Sequence, residues 1–440
     1  RRPISLRAPG DIRRSNAGLG RRVRSWGCSE FIIRMECLEL AKAFEGVRIV
    51  DFTQVLCGPM ATAQLALLGA DVIKIEVPGV GDQMRLLSAN DVWADTHCGP
   101  GFMGVNYGKR SITLNLKSPK ASEIVSRMVE GANAIVENFK PGVLSRLGFS
   151  YDWAKSIEPG IVYLSISGFG QEGPLSGSGA YDGAIQAMSG VMSTTGTPET
   201  GPVRVGFPVA DMTTGFNAAF ALASALYRQK ATGEGQYIDL SMTDSMLSLM
   251  NYSVSRYTVA GDVPQLLGNN SPTFQGTSSV FPTKDGFLNV SVFTDKMALR
   301  LCDALGHPEW KDDPCWNSDR GRKDNFDFIQ QTLTEILSQK STAEWLVIME
   351  EEGVPVAPVN TLHEAVYSDQ VSQRNFLIDL PAPTGVGGSV SLPGTSFITS
   401  EDSPGTERSP PRIGEHTDEI LSEFGFTETE IATFHDNDVV

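Results

Sequence analysis

The sequence lacks the motifs through which enzymes commonly hold metals and nucleotides. Its few histidines show neither HExxH nor any other metal-ligand spacing. There is no GxxxxGK[ST] loop to cradle the phosphates of ATP, and the scattered cysteines form no CxxC pair. We therefore expect no metal centre, no ATP-driven chemistry, and the reduced thiols of an intracellular protein.

Long apolar runs and basic character are also missing from most of the chain. The most apolar stretch, residues 216–227, is too short for a membrane helix and predicts a buried one. The net charge is −16, although residues 1–34 carry nine arginines against only Asp11 and Glu30. The remainder is therefore strongly acidic, which argues against a nucleic-acid partner because phosphate binding needs a basic face.

The basic head, residues 1–34, has two interpretations. Its richness in Arg and Ser and its few acids are typical of an organelle transit peptide. Alternatively, it lies upstream of a start at Met35, where globular patterning begins. In either case we expect a disordered extension. The predicted location is cytoplasmic, or mitochondrial if the head is a transit peptide.

Strand and helix patterns alternate through the first half of the chain. A helix is predicted over 60–68, and Ser118 with Pro119 is typical of the start of another. Strands joined by such helices form parallel sheets, so an α/β, Rossmann-like domain follows. The predicted strands are 47–52, 71–77, 111–116, 134–139 and 161–167.

The second half predicts a further, smaller α+β domain. A long helix over 211–230, a strand over 236–240 and a helix over 243–250 come first, and the character changes near 270. We predict a strand over 287–293, helices over 296–305 and 329–337, a loop over 351–360, a surface segment over 381–411, and a last helix from Thr417 followed by polar turns. The predicted units are a large domain of 35–235 with 400–440, a linker of 236–269, and a small domain with its return linker over 270–399.

Three features are candidates for chemistry. The segment GFGQEG at 168–173 matches a dinucleotide fingerprint, but loop residues follow it, so a mobile loop over a ligand is favoured. Cys57 could be a thiol activated by a helix terminus, or a small buried side chain, and the second is favoured. Asp211 could cap the long helix, or serve as a nucleophile kept ionised by the helix dipole. Spacing alone does not separate the two roles of Asp211.

Taken together, the motifs resemble one family, the class III CoA-transferases, which include formyl-CoA:oxalate CoA-transferase and carnitine CoA-transferase (CaiB/BaiF type). They occur in family order from about residue 44 to 440 and are specific only as a set. They are GVRIVDFTQVLCGP at 46–59, LGADVIKIE at 68–76, GD at 81–82, GKRSI at 108–112, VENFKPG at 136–142, YLSISGFG at 163–170, GVMSTTG at 190–196, VADMTTG at 209–215, TGEGQ at 232–236 and GEHT at 414–417.

The resemblance implies a catalytic aspartate at Asp211, which would carry CoA through aspartyl anhydride and aspartyl-CoA thioester intermediates. It also implies an interlocked homodimer, with an acyl-CoA and a small carboxylic acid as substrates and no permanently bound cofactor. Phosphates would meet Lys140 and Arg146, and adenine would stack on Phe139. The residues implied to bind CoA are Val55, Leu56, Cys57, Leu114, Asn115, Lys117, Asn138, Phe139, Lys140, Arg146, Ala180 and Tyr181.

Departures from the family pattern leave alternatives open. Val77 and Gly179 occupy positions that are often basic, so other residues would have to supply those phosphate contacts. An α-methylacyl-CoA racemase would need a His before Asp182, where Tyr181 stands. A non-catalytic CoA-binding homologue is the third possibility. Acceptor recognition is expected within 255–285, where GNNSPTFQG at 268–276 favours a succinyl-CoA-linked dicarboxylate or a branched acid over oxalate.

Overall fold

The strands were assigned in a computed structural model that describes residues 42–87, 93, 96–383 and 387–440. The basic head and its two interpretations lie outside these ranges. The strands are β1 (Arg48–Asp51), β2 (Asp71–Glu76), β3 (Arg110–Thr113), β4 (Ala134–Glu137), β5 (Val162–Ser167), β6 (Gly196–Thr197), β7 (Gly201–Pro202), β8 (Tyr237–Ser241), β9 (Ser278–Pro282), β10 (Phe287–Ser291), β11 (Val356–Pro358), β12 (Leu377–Pro381) and β13 (Ser389–Pro393).

Helices connect these strands and follow them. None of the helices within the described ranges is long and apolar enough to cross a membrane. The helices are α1 (Cys57–Leu67), α2 (Pro100–Asn106), α3 (Ala121–Val129), α4 (Val143–Arg146), α5 (Tyr151–Ile157), α6 (Asp182–Met188), α7 (Val209–Thr232), α8 (Met242–Leu249), α9 (Asn251–Ser255), α10 (Asp295–Ala304), α11 (Pro314–Asn317), α12 (Asp319–Asp324), α13 (Phe326–Leu337), α14 (Thr342–Glu351), α15 (Leu362–Val366), α16 (Asp369–Gln373), α17 (Thr417–Glu423) and α18 (Glu428–Asp436).

The main sheet confirms the α/β prediction. Its six strands run in the order β3-β2-β1-β4-β5-β8, and every pair is parallel. After β1 the chain builds outward through β2 and β3, and it then returns to the other side of β1 with β4. Such a reversal opens a crevice beyond the carboxyl ends of the two neighbouring strands, where α/β proteins bind ligands. The loops that follow β1 and β4 therefore face one another at this edge.

Both faces of the sheet are covered, as a parallel sheet requires. On one face, Val50 and Ile73 pack with α3 and with residues of the C-terminal segment, among them Phe434 and Val439. On the other face, α1 and α7 pack against the sheet and against each other. Gly215 permits their close approach, because a Cβ there would lie 2.8 Å from Cβ of Met60. This contact brings the beginnings of α1 and α7 together.

A second, antiparallel sheet has the order β11-β10-β9 and packs with helices around Trp316, Leu333 and Trp345. The 236–269 segment, expected to be a linker, begins with β8 of the main sheet and continues into α8 and α9. The domain boundaries themselves stay a prediction.

Several local expectations were wrong. The helix expected at Ser118 begins at Ala121, and Lys120 at its N-cap offers no side-chain hydrogen bond. The 351–360 loop contains β11, and the 381–411 segment contains β13, which pairs with β12. A second helix, α18, follows α17 where polar turns were expected. The two missed strands reflect pairing with residues distant in the chain, which local patterns do not carry.

Candidate active site

A cavity of about 310 Å³ lies at the carboxyl edge of the main sheet, beyond β1, β4 and β5. The loops that follow these strands contribute lining residues such as Gln54 and Gly168. The structure thus brings together residues from four separate sequence motifs. The predicted site residues that line this cavity are Val55, Cys57, Asn138, Phe139, Lys140, Ala180, Tyr181 and Asp211.

Five predicted residues do not line the cavity. Leu114 is buried in the core of the main sheet, so its side chain has no surface to offer a ligand. Leu56 is the residue before α1 and is half-buried. Asn115 and Lys117 are exposed on the loop after β3, where the Lys117 amide donates to Asn115 Oδ1 at 3.2 Å. Arg146 is exposed at the end of α4.

Asp211 does not cap its helix. It is the third residue of α7, and Pro208 occupies the N-cap without a side-chain hydrogen bond. The cap comes from Asp182, the first residue of α6, whose Oδ1 accepts from the Ala210 amide at 2.8 Å and the Asp211 amide at 3.3 Å. A carboxylate from another helix thus satisfies the free amides of α7, which leaves the Asp211 side chain available to the cavity.

The charge of Asp211 is set mainly by its surroundings. Burial and the neighbouring Asp182 carboxylate raise the pKa of Asp211 to about 6, and a hydrogen bond from the Cys57 thiol lowers it. The helix terminus favours the anion, whereas burial and the Asp182 charge act against it. At pH 7 roughly nine-tenths of a group with this pKa is ionised.

Cys57 is a neutral partner of Asp211. Burial and the Asp211 charge raise the pKa of the Cys57 thiol to about 12. The interpretation as an activated thiolate was therefore wrong, because a thiol with this pKa stays protonated near neutral pH. The protonated thiol lowers the pKa of the neighbouring Asp211, and Cys57 Sγ accepts from Asn138 Nδ2 at 3.6 Å.

The loop after β1 is held from two sides. The Gln54 amide donates to Asn138 Oδ1 at 2.8 Å, and Asn138 Nδ2 donates back to the Gln54 carbonyl at 2.7 Å. On the other side, the Val55 amide donates to both carboxylate oxygens of Asp82, at 3.1 and 3.2 Å. Val55 has a φ of 69°, which a β-branched residue adopts only when its surroundings enforce it. Asn138 and Asp82 provide that enforcement.

Three buried ion pairs stand behind this loop. Lys74 Nζ lies 2.9 Å from Asp82 Oδ2 and donates to the Thr53 carbonyl at 2.6 Å. Lys109 pairs with Asp51 at 3.0 Å, and Arg85 pairs with Glu76. Our sequence interpretation assigned none of these pairs. The sequence does contain a signal for such pairs, namely charged residues within otherwise apolar strands, because Lys and Glu are rarely buried without a partner.

The Lys140 side chain lies beside Gly179, one of the two positions where this chain lacks a basic residue that is common in the resembled family. The Lys140 ammonium is 3.4 Å from the position that a Cβ on Gly179 would take, so it occupies the space beside the glycine. The second such position is Val77, which is exposed. The nearby Arg85 donates to the Glu76 carboxylate at 2.7 Å. The cavity entrance thus has a basic side chain near Gly179, supplied by the loop after β4.

The glycine-rich segment at 168–173 runs as a loop up to α6, whose first residue is Asp182. A dinucleotide site would need a helix to begin within this segment. Gly168 instead permits close packing, because a Cβ there would lie 2.1 Å from Cβ of Ala180. Its role here is to let the end of β5 contact the 178–180 segment. In the part of the chain that the structure describes, no group of three or more potential ligands could hold a metal.

The chain is similar to known proteins in sequence and in fold. A family model described as CoA-transferase family III matches residues 44–417. Acetyl-CoA:oxalate CoA-transferase of Acetobacter aceti is 37% identical over 88% of this chain and 96% of that protein. Succinyl-CoA:glutarate CoA-transferase of Homo sapiens is 33% identical over 87% of this chain and 86% of that protein. The crystal structure of a CAIB/BAIF family protein from Brucella suis superposes with a TM-score of 0.78, at 31% identity, covering 87% of this chain and all of the other.

Proposed function

The chain belongs to CoA-transferase family III and is an enzyme of the CoA-transferase type, and on that premise we propose that Asp211 is the nucleophile that carries CoA from an acyl-CoA donor to a free carboxylic acid. The observation that supports this role most directly is the position of the Asp211 carboxylate. It lines the cavity at the carboxyl edge of the sheet and is neither a helix cap nor a member of an ion pair among the described residues.

The proposed reaction proceeds by exchange at carbonyl carbons. The Asp211 carboxylate attacks the donor thioester, forming a mixed anhydride and releasing CoA thiolate. The thiolate attacks the aspartyl carbonyl, which releases the donor acid as a carboxylate and leaves an aspartyl-CoA thioester. The acceptor carboxylate then attacks this thioester, and the CoA thiolate that leaves attacks the acceptor carbonyl of the second anhydride. Asp211 is regenerated without oxidation, ATP or a metal ion, and covalent catalysis divides one difficult step into easier ones.

The protonation state of Asp211 predicts the acid side of the pH profile. Only the ionised carboxylate is nucleophilic, so kcat should fall as the pH drops through about 6. Asp182→Asn should move this limb to lower pH, because it removes a charge that raises the pKa of Asp211 while keeping an oxygen that accepts from the α7 amides. Initial rates from pH 5 to 8 in both proteins measure the shift. An unchanged limb in the variant would show that Asp182 does not tune the nucleophile.

The position of Lys140 supports a role in binding the phosphates of CoA. We expect Lys140→Ala to weaken CoA binding about tenfold, the loss of one charge-assisted hydrogen bond. Isothermal calorimetry with CoA measures the dissociation constant. Lys155→Ala is the matched control, since Lys155 is an exposed lysine on α5 that does not line the cavity. Equal affinities for CoA in the two variants would show that Lys140 does not contribute to CoA binding.

The acceptor is proposed to be a short dicarboxylate, with succinyl-CoA as a donor. The support is the printed activity of the relatives, which transfer CoA to oxalate or to glutarate. The segment expected to recognise the acceptor contributes Gly268, Asn270 and Phe274 to another cavity, of about 250 Å³, which shares no lining residue with the Asp211 cavity. If that segment reaches an active site, a second copy of the chain would have to bring it there.

The proposed homodimer has a candidate surface on α7. The residues 216–227 were expected to be buried, but Phe220 and Tyr227 expose about three-quarters of their surface, and Phe216 half. Such an apolar face on an enzyme of this family is suited to burial against a second copy. Light scattering during size-exclusion chromatography tests this, and a monomer at working concentration would contradict it.

A mass-spectrometric screen tests the function as a whole. The protein is incubated with succinyl-CoA or acetyl-CoA and a panel of free acids, and each new acyl-CoA is identified by mass. A new thioester names the acceptor. If none forms, but a 2-methylacyl-CoA exchanges its α-proton with solvent, the racemase interpretation would replace the transferase. If CoA binds and neither reaction occurs, the chain would be a non-catalytic homologue.

A further inference from the structure

Ser167 is a buried donor without a partner at the edge of the Asp211 cavity. It is the last residue of β5 and only 7% exposed. Its Oγ has no hydrogen-bond partner among the described residues. Ser167 nevertheless lines the same cavity as Asp211. A hydroxyl in this position is available to a bound molecule and to little else.

Several buried or half-buried polar side chains beside the cavity already have neighbours that occupy them. Asn138 uses its oxygen and its nitrogen on the Gln54 backbone. Cys57 Sγ accepts from Asn138 Nδ2 at 3.6 Å. Ser165, two residues earlier on the same face of β5, lies beside the Glu137 carboxylate and lowers its pKa. Since the large majority of buried polar side chains in folded proteins have a partner, an unpaired hydroxyl facing a cavity indicates a partner that the free protein does not contain.

The proposed chemistry requires such a donor. When a carboxylate attacks a thioester or an anhydride, the negative charge moves onto the carbonyl oxygen of the acyl group. This charge forms beside Asp211 and near Asp182, whose carboxylates already make the site negative. The nearby cations are both exposed: Lys140 lies at the cavity entrance, and Arg204 pairs with Asp182 at 3.4 Å. A buried donor aimed at the developing oxyanion is the usual way to stabilise it.

We infer that Ser167 Oγ donates a hydrogen bond to the carbonyl oxygen of the acyl group that reacts with Asp211, which makes Ser167 a catalytic residue. The inference rests on the proposed function, because it assigns a role within the same reaction. No bond to Ser167 forms or breaks, and its proton stays on Oγ throughout. The ligand it serves is the acyl carbonyl, which free CoA lacks.

The test is Ser167→Ala, assayed for three properties. Turnover should fall about 100-fold, the effect expected for losing one oxyanion-hole donor. The affinity for CoA alone should stay within about twofold, because the hydroxyl does not contact CoA itself. The melting temperature should be unchanged or higher, because the removed hydroxyl has no partner in the free protein. Ser167→Thr, which retains the hydroxyl, should recover most of the turnover.

Ser245→Ala is the matched control. Ser245 is also a buried serine, but its Oγ donates to the Ser241 carbonyl at 2.9 Å, and it does not line the cavity. This variant should keep wild-type turnover. If Ser167→Ala retains wild-type turnover, or if its affinity for CoA or its melting temperature falls together with turnover, the inference is overturned. A wild-type protein that transfers no CoA would instead refute the proposed function, and the inference with it.

Discussion

Replacing Asp211 with Asn is expected to lower CoA transfer by about 10⁴-fold or more, as the loss of a covalent nucleophile does in other enzymes. Asn has nearly the same shape but cannot form an anhydride. The change also removes a half-buried charge beside Asp182, so stability should be kept or increased. Binding of CoA should stay within about twofold, because that affinity depends on contacts away from the carboxylate.

Two measurements check this expectation. Rates are followed by mass spectrometry of the acyl-CoA product, and the intact protein is weighed after mixing with donor to detect an aspartyl-CoA adduct. The adduct should form in the wild type and be absent from Asp211→Asn. Asp152→Asn, at an exposed position on α5, controls for the substitution itself. Retention of more than about 1% of wild-type turnover by Asp211→Asn would sink the proposed mechanism.

Replacing Lys74 with Met is expected to lower the free energy of unfolding by about 3–5 kcal/mol. Lys74 is fully buried, and although burial acts to lower it, the carboxylates of Asp82 and Asp51 hold the pKa of Lys74 above its usual value. Met fills a similar volume but leaves Asp82 buried without its cation. The Thr53 carbonyl also loses a donor at 2.6 Å.

Lys74→Met should also weaken CoA binding, because the Asp82 carboxylate holds the loop after β1, and this loop lines the cavity. Asp82 accepts from the Val55 amide and keeps Val55 in its left-handed conformation. Urea unfolding measures stability, and calorimetry measures affinity for CoA. Lys155→Met serves as the exposed control and should change stability by no more than about 0.5 kcal/mol. Adding Asp82→Asn to Lys74→Met should recover part of the loss, and a loss below about 1 kcal/mol in Lys74→Met would contradict the account.

The sequence predicted most of the main sheet because its signals are local. Short β-branched runs such as IVD at 49–51 alternate with helical segments, and this alternation alone requires parallel strands. The family was also predictable, since its motifs are ordered along the chain, and the comparisons confirm it. The carboxyl ends of neighbouring parallel strands meet at one edge, which explains why residues near 55 and 138 share a cavity.

What could not be predicted depends on partners distant in the chain. Nothing local to Asp211 indicates that Asp182 caps its helix, because that bond joins residues 29 positions apart. Ser167 appears in sequence as one of several serines in a strand, and only the structure shows that its Oγ is buried without a partner, whereas Ser165 lies beside the Glu137 carboxylate. Cys57 was correctly expected to be buried, but the Asp211 charge that further raises the pKa of its thiol comes from a helix distant in the chain.

The packing of the C-terminal segment beneath the first strands has a consequence for biosynthesis. Val50 and Ile73 share one core with Ile420, Phe434 and Val439. A ribosome adds about 5–20 residues per second, so the strands made first remain uncovered on one face for roughly tens of seconds until the last helices emerge. During that interval the nascent chain exposes an apolar sheet face to solvent. We therefore expect chaperones to shield the unfinished sheet until residues 417–440 have emerged from the ribosome and covered it.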